Sequence, residues 1–484
     1  MSVKPSTGLL IAAIGVMSVN SPTVLAFDPL RAEQSIPVSA AGDMVPAHST
    51  CEFGPLSHPL TLEDAVERAL CRNPKTRESW ADVKAQAAAV GVARAAYLPT
   101  ITGNWQGVRD SSVTDITDHP ALSSNYSATV RSEGVSLNWL LYDFGGREAA
   151  LKNASSLLEA SQATRNATLQ STFATVAKDY YAAQAAHAAL DAAREIEAMT
   201  RQSATAAQAK VDKGVAPITD ALQAQSQHEQ ALLNLAKARS DAQSTIGALA
   251  VDMGYDPSAV TDVPAVTDTV IPGKTFTESL ARLIAEVKRT HPSVVAAQAQ
   301  YDAAMAKIAQ TRAQGLPSLN LVGKYNRDNQ PQSLGLGLPT YPSTGHDAYI
   351  GIQVTIPIFE GFGRNYQIDQ ARAEAERQQD ALEETRNKVA VDVWDSYYAL
   401  ESASESASHS SSLLTIAQQA YVAAEHRYNM GVGNILELLN TQTTLANAKE
   451  RRIETLTDWD NARIDLASKL GRLDMSSVST LGTP

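Results

Sequence analysis

The 484-residue sequence has few aromatic residues. Phe, Trp and Tyr together make up 6% of the chain, whereas alanine-rich stretches are long and frequent. A chain of this length with so few bulky side chains does not indicate one large hydrophobic core. The composition instead predicts closely packed helices in an elongated, thin-walled structure.

Basic residues are scarce relative to acidic ones. The chain has 40 Lys and Arg against 52 Asp and Glu, which gives a net charge of -12. A surface that binds the phosphates of nucleic acid needs the opposite balance. We therefore expect no nucleic-acid partner.

Apolar stretches long enough for a membrane-spanning helix are also lacking. The N-terminal stretch "GLLIAAIGVMSV" is too short to span a bilayer. It follows Lys4 and precedes the small residues of "TVLA", which is typical of a secretory signal peptide over residues 1–26. A lipid anchor would need a cysteine directly after this stretch, and Cys51 lies well downstream. We expect an exported protein without lipid.

Only two cysteines are present, Cys51 and Cys71. In an oxidising compartment they favour a disulfide bond between the N-terminal extension, residues 27–59, and the first helix, with two free thiols as the alternative. A metal site would need further ligands nearby, and the sequence provides none.

H-E-x-x-H, G-x-S-x-G and P-loop motifs are missing as well. We expect no enzyme, metal or cofactor, and a hydrolase with unusual spacing is the remaining enzymatic alternative.

The chain contains an internal repeat. Asn73-Pro74 matches His291-Pro292 at an offset of 218, and from Gly134 onward the offset is 217, as for Tyr180 and Tyr397. A gap-free match over such a length indicates two copies of one unit. The predicted divisions are a first repeat over 60–253, a proline-rich linker over 254–275, a second repeat over 276–473 and a tail over 474–484.

Each repeat begins with an alanine-rich helical stretch, 60–97 or 277–315, which ends at a Leu-Pro pair and is followed by two strands. Residues 348–358, "AYIGIQVTIPI", alternate apolar and polar side chains with the period of a strand. We expect strands over 101–109 and 319–327 as well. The segments between strands, residues 110–124 and 328–346, are predicted to be exposed loops.

Long helices follow the strands. Residues 147–213 and 364–430 are spaced helically and extend for 67 residues in each copy (213 minus 147 plus 1), or roughly 100 Å. Each helix then turns at a glycine, Gly214 or Gly431, and a second helix returns. Each repeat therefore has a β-hairpin at one end and a long helical hairpin at the other.

Alternating strands in an exported chain predict a membrane-spanning β-barrel, with a soluble sandwich as the alternative. Four strands cannot close a barrel, and a sheet in lipid leaves no backbone group unpaired. A homotrimer would supply twelve strands in contact with outer membrane lipid. Its helical hairpins would form a second, α-helical cylinder. The predicted fold class is thus a mixed α and β membrane protein with two tandem structural repeats.

The order of these parts resembles TolC-like outer membrane factors. Helix, "LP", two strands, "LYDFGGR" or "PIFEGFGR", a long helix, and "KGVAPITDALQAQ" or "MGVGNILELLNTQ" occur twice between about Leu60 and Leu473. The resemblance implies a trimeric channel in the bacterial outer membrane that docks on a periplasmic adaptor and an inner-membrane pump, either an ABC or a proton-driven transporter. Drug efflux and type I protein secretion both remain open. A periplasmic or surface coiled-coil adaptor or adhesin is the alternative, although it would not need paired strands in both repeats.

The returning helices carry acids at equivalent positions, Asp220 and Glu437, again 217 apart. Pro217 suits the first position of its helix and Asn434 suits an N-cap, so each acid could simply complement the helix dipole. The other interpretation uses the trimer: two acids in each of three chains would form a ring of about six carboxylates, as in cation-selective pores.

The resemblance favours the ring. It implies that Asp220 and Glu437 line a closed periplasmic entrance and that Tyr428 matches a tyrosine that helps to hold it shut. Asn440 is a further candidate residue of this entrance, but it replaces an acid of the family pattern, and Gly433 replaces an arginine. We therefore expect a less charged ring.

Overall fold

The computed structural model describes residues 28–45, 51, 53–54, 56, 59–260, 263, 279–333, 338 and 340–475. The predicted signal peptide, most of the predicted linker and most of the predicted tail lie outside these residues. Within the described part of the chain, no helix combines the length and the apolar character that a membrane span requires.

Eight α-helices are described. In chain order they are α1 (Leu62–Arg72), α2 (Pro74–Ala95), α3 (Gly146–Asp212), α4 (Ile218–Asp252), α5 (Leu280–Thr290), α6 (Pro292–Ala313), α7 (Gly363–Asn429) and α8 (Ile435–Lys469). The helices α3 and α7 contain 67 residues each, as predicted, and each begins and ends one residue before the predicted limits. We call the pair α3 and α4 hairpin 1, and the pair α7 and α8 hairpin 2.

Each alanine-rich helical stretch is divided into two helices at its X-Pro pair. Asn73 and His291 have extended ψ angles of 132° and 133°, because the proline that follows disfavours the helical conformation at the preceding residue. The Asn73 side chain accepts a hydrogen bond from the Lys75 N–H at 2.9 Å and so caps the second helix. The helical prediction is correct, and each stretch consists of two consecutive helices.

Six strands are described: β1 (Thr100–Thr114), β2 (Ser124–Tyr142), β3 (Ser318–Asp328), β4 (Gln332–Ser333), β5 (Thr340–Tyr341) and β6 (Gly345–Thr355). The four long ones form one antiparallel sheet in the order β1-β2-β3-β6, and β4 and β5 form a separate short hairpin. Four sheet strands per chain agree with the prediction. The repeats meet in the middle of the sheet, where β2 pairs with β3.

The predicted loop over 110–124 is wrong at its start and its end. The β1-β2 ladder continues to the pair Thr114 and Ser124, and the Tyr126 hydroxyl donates a 2.7 Å hydrogen bond to Asp110 near that end of the sheet. Polar residues had indicated a turn, but cross-strand pairing extends the hairpin beyond the apolar pattern. The predicted loop over 328–346 likewise contains β4 and β5.

The sheet is open within one chain, because β1 and β6 are its edge strands. Along β6 the apolar side chains of one face are exposed, with Ile350 at 74% and Ile352 at 67%. Exposed apolar side chains and unpaired strand edges both require neighbours. These features fit a barrel wall completed by other copies of the chain.

The largest buried cluster among the described residues lies around the middle of α3 and the C-terminal ends of α4 and α8. Phe173 and Leu169 of α3 pack there with Leu70 of α1, Leu249 of α4 and Ile464 of α8. Many of the other buried residues are alanines, which allow the helix axes to approach closely. The scarcity of aromatic residues is thus explained by thin layers of helices.

The disulfide bond between Cys51 and Cys71 is present, as predicted. Residues 28–45, which we call the N-terminal strap, lie against α2 and α3. Trp80 Nε1 donates to the Pro37 carbonyl at 3.1 Å, and Arg165 Nη2 donates to the Ala40 carbonyl at 2.9 Å. The strap therefore adds a layer to the helices of the first repeat.

Candidate functional site

The candidate site is the pair of turns that close the two helical hairpins. Gly214 and Gly431 have φ angles of +68° and +79° at these turns, in the left-handed region. A Cβ atom at either position would meet no other atom within 4 Å. Glycine is therefore favoured at both positions because of the backbone conformation, and not because a side chain would be crowded there.

Both turns share one closing backbone hydrogen bond. The Val215 N–H donates to the Lys210 carbonyl at 3.0 Å, and the Val432 N–H donates to the Arg427 carbonyl at 3.1 Å. This six-residue closure is a common way to end a helix before a glycine. The two copies of the turn therefore end their helices in the same way, and they differ in the residues that follow the glycine.

Gly433 is closely packed, unlike the other two turn glycines. Its N–H donates to the Arg427 carbonyl at 3.0 Å. A Cβ atom there would lie 3.0 Å from the Tyr428 nitrogen and 3.1 Å from the Arg427 Cβ atom. The turn thus folds back onto the last turn of α7, and a side chain at position 433 would force the two apart.

Both predicted acids lie in the first turn of a returning helix. The Asn434 side chain accepts a 2.7 Å hydrogen bond from the Glu437 N–H, which confirms the predicted N-cap. Pro217 is one residue short of its predicted position: it has an extended ψ of 152° and precedes α4, which begins at Ile218. Asp220 still faces the positive end of the helix dipole.

The charges of the two acids are balanced differently. Arg427 Nη1 lies 3.6 Å from Oε1 of Glu437. Asp220 forms no ion pair with the residues that the structure describes. Asn440, the predicted third member of the entrance, is exposed on α8. Of the two acids, only Glu437 therefore has a cation within ion-pair distance in the described part of the chain.

Tyr428 is almost fully buried, at 4% exposure, in a cluster with Tyr421, Ile435 and Leu438. Its hydroxyl has no hydrogen-bond partner in the described part of the chain. Burial raises the pKa of this phenol, and the nearby Asp220 carboxylate raises it further. The phenol therefore stays neutral, and the Asp220 carboxylate is near enough to Tyr428 to influence its pKa.

Lys210, in the last turn of α3, joins the two hairpins. Its Nζ donates a 2.7 Å hydrogen bond to the Tyr428 carbonyl and lies 3.5 Å from the centroid of the Tyr428 ring. Sequence analysis did not identify Lys210 or Arg427 as site residues. They are equivalent in the repeat (427 minus 210 is 217), so the repeat itself was the available signal.

Apolar side chains are exposed on both turns, and a water-facing tip would not be expected to carry so many. The most exposed of them are Val215 at 73%, Ile218 at 63%, Met430 at 69% and Val432 at 72%. They flank the acids on hairpin 1 and hairpin 2 alike.

Comparison with known proteins agrees with this architecture. The family model described as outer membrane efflux protein matches residues 65–254 and again residues 283–472. The chain belongs to the outer membrane efflux protein family. The two matched ranges start 218 residues apart (283 minus 65), which reproduces the internal repeat.

Individual relatives match over most of their length. Protein CyaE of Bordetella pertussis is 31% identical over 434 residues, which cover 87% of this chain and 85% of the relative. Outer membrane efflux protein BepC of Brucella suis is 24% identical over 414 residues, covering 85% and 86%. The crystal structure of the Campylobacter jejuni CmeC outer membrane channel has a TM-score of 0.74 and 16% identity, covering 87% and 88%.

The family confirms the predicted fold class, location and general function. This outer membrane efflux protein is an export channel of the bacterial outer membrane, with a β-barrel and a helical extension into the periplasm. Members of the family are trimeric channels, not enzymes, and work with adaptors and inner-membrane transporters. A coiled-coil adaptor or adhesin is thereby excluded.

Proposed function

We propose that the two hairpin turns form the periplasmic entrance of this channel, that the entrance prefers cations, and that it is closed at rest. The observation that carries the proposal is the equivalent placement of Asp220 and Glu437 in the first turns of α4 and α8. In a trimer these positions supply about six carboxylates around one opening. The repeat limits 60–253 and 276–473 belong to the same proposal, because each repeat contributes one hairpin.

The charges at the turns support a cation preference. Carboxylates that line a narrow opening raise the local concentration of cations and repel anions. Arg427 offsets part of the Glu437 charge, so Asp220 carries the larger share of the effect. Asn440 adds no charge, which makes this ring weaker than one with a third acid.

Contacts between the hairpins support a closed resting state. Lys178 of α3 lies 2.5 Å from Asp465 of α8, and Gln442 Nε2 of α8 donates a 2.6 Å hydrogen bond to Ser203 of α3. Opening would require hairpin 2 to move away from hairpin 1 and break such contacts.

We further propose that a periplasmic adaptor binds the exposed apolar side chains of the turns and drives this movement together with an inner-membrane transporter. Val215 and Val432 lie at equivalent positions, so each chain presents two similar apolar tips. Burial of such side chains by a partner would release water from apolar surface. The transporter is of the ABC or the proton-driven class. With an ABC exporter the cargo is a secreted protein, and with a proton-driven pump it is a small toxic compound.

Single-channel recording in planar bilayers tests the entrance. The double variant Asp220→Ala, Glu437→Ala should lose most of the cation selectivity and the block by divalent cations. The matched control is Glu229→Ala, Asp458→Ala, which removes two exposed acids from the same two helices away from the turns. Unchanged selectivity in the first variant would remove the ring from the proposal.

A further inference from the structure

We infer that Lys210 is a latch: it holds hairpin 2 against hairpin 1 at the turns by binding the end of α7 at Tyr428. The inference rests on the proposed entrance, because it names the contact that keeps the entrance closed. It concerns one positioning residue in each chain, and three in a trimer.

The contact has two parts. The Lys210 ammonium donates a 2.7 Å hydrogen bond to the Tyr428 carbonyl, and the same Nζ lies 3.5 Å from the centroid of the Tyr428 ring. The carbonyl lies at the C-terminal end of α7, where the helix dipole favours a cation. Lys210 is half-buried and the ring is buried, so water screens the cation–π interaction only in part.

The repeat shows that this contact is specific to one hairpin. Arg427 is equivalent to Lys210, but it lies beside Glu437 in its own hairpin. The residue equivalent to Tyr428 is Val211 (428 minus 217), which has no aromatic ring. The aromatic part of a reciprocal contact from hairpin 2 to hairpin 1 therefore cannot form.

Lys210 lies in the last turn of α3, next to the turn of the hairpin. The Lys210 contact joins α3 to α7, whereas polar contacts between α3 and α8 lie further from the turns, at Ser203 with Gln442 and at Glu195 with Lys449. If the hairpins separate at their tips, the largest displacement occurs at the turns. The Lys210 contact must then break before the contacts deeper in the bundle.

The Tyr428 hydroxyl is not part of the latch. It has no hydrogen-bond partner among the described residues, whereas the ring and the backbone carbonyl both contact Lys210. The latch therefore predicts that Tyr428→Phe keeps the contact and that Tyr428→Leu loses its aromatic part. This distinguishes the latch from any closure that depends on the phenol.

The test uses the full-length trimer in nanodiscs and in planar bilayers. Lys210→Met keeps the aliphatic stem and removes the charge, Lys210→Arg restores a cation, and Lys213→Met removes an exposed lysine from the same turn. Spin labels at Val215→Cys and Val432→Cys report the separation of the two tips, since both side chains are exposed.

Lys210→Met should lengthen and broaden the distance between the labels and raise the open fraction in bilayers by roughly tenfold, which is the size expected for a partly desolvated cation–π contact. Tyr428→Leu should act in the same direction. Lys213→Met, Lys210→Arg and Tyr428→Phe should resemble the parent protein. Heat-modifiable trimers on gels would show that each variant is assembled.

Two results would overturn the latch: a label distance in Lys210→Met equal to that in Lys213→Met, or a Tyr428→Phe variant as open as Tyr428→Leu. Failure of the entrance proposal looks different. In that case the Asp220→Ala, Glu437→Ala variant keeps its selectivity, while the label distance still reports whether Lys210 holds the hairpins together.

Discussion

Arg427 Nη1 lies 3.6 Å from Oε1 of Glu437, across the turn between α7 and α8. The equivalent cation in hairpin 1 is Lys210. It does not pair with Asp220, and it contacts Tyr428 of the other hairpin. The equivalent cations thus form an ion pair within hairpin 2 and a contact between the two hairpins. This difference separates the functions of the two acids.

Asp220 should matter more than Glu437 for ion selectivity. We expect Asp220→Asn to lower the preference for cations more than Glu437→Gln does, because Arg427 already offsets part of the Glu437 charge. Arg427→Gln should raise the preference. Reversal potentials under a salt gradient measure all three, and equal effects of the two acid variants would contradict the asymmetry.

The turn glycines should respond to alanine for different reasons. Gly431→Ala places a side chain at φ +79° in open space, so the cost is the backbone strain of about 1 kcal/mol. Gly433→Ala introduces a Cβ atom 3.0 Å from the Tyr428 nitrogen. Hydrogen exchange should therefore increase locally at the turn in the first variant and extend into the last turn of α7 in the second. Identical exchange patterns would argue against this distinction.

The long helices and the sheet could be predicted because their signals are repeated and periodic. The limits of α3 and α7 differ by one residue from the predicted ones, since glycine ends the helix in both copies. Residues 110–114 were missed as strand because they carry no apolar alternation, and only the ladder to β2 shows them to be extended.

Lys210 illustrates what the sequence could not reveal. A lysine one turn before a glycine is common at helix ends, so its charge indicates no particular partner. Its partner is Tyr428, 218 residues away, and the approach of the two hairpins decides the contact. The sequence also did not reveal that the N-terminal strap packs against α2 and α3, because this packing depends on hydrogen bonds from Trp80 and Arg165 to backbone carbonyls.

The disulfide bond should stabilise the strap without affecting conduction. Cys51 and Cys71 are 20 residues apart, and closing a loop of that size stabilises a fold by about 3 kcal/mol. The double variant Cys51→Ser, Cys71→Ser should expose residues 28–45 to protease. Conductance should not change, because Arg165, which contacts the strap, lies roughly 70 Å along α3 from the turn. A strap that stays protected in the variant would show that its hydrogen bonds suffice.

Asp460 of α8 should make stability depend on pH. Burial raises the pKa of its carboxyl to about 6, although Arg463 opposes the shift. The folded protein then holds a proton that the unfolded chain releases near pH 4, so stability falls as the pH rises from about 4 to about 6. Asp460→Asn should be more stable than the parent protein at pH 7, by about 1–3 kcal/mol, and the advantage should vanish towards pH 4.

Thermal unfolding of the trimer in neutral detergent at several pH values measures this effect. Asp458→Asn is the control, because it removes a neighbouring acid that is exposed. Burial and the adjacent Asp252 also raise the pKa of Asp179, so Asp460→Asn should flatten only part of the pH profile. An advantage that is equal at pH 4 and pH 7 would mean that the Asp460 carboxyl titrates normally.

Neighbouring positions of β6 should differ sharply in their tolerance of charge. Ile352 belongs to the apolar face that is exposed in a single chain, and in a trimeric barrel this face contacts lipid. Gln353 points to the opposite face because side chains alternate along a strand. Ile352→Arg should cost about 2–4 kcal/mol if it lies near the bilayer midplane, whereas Gln353→Arg should be tolerated. The amount of heat-modifiable trimer in outer membrane fractions measures both. Equal loss in the two variants would indicate general misfolding. Equal tolerance would mean that β6 does not face lipid, which would contradict the twelve-stranded barrel and with it the trimeric ring of carboxylates at the entrance.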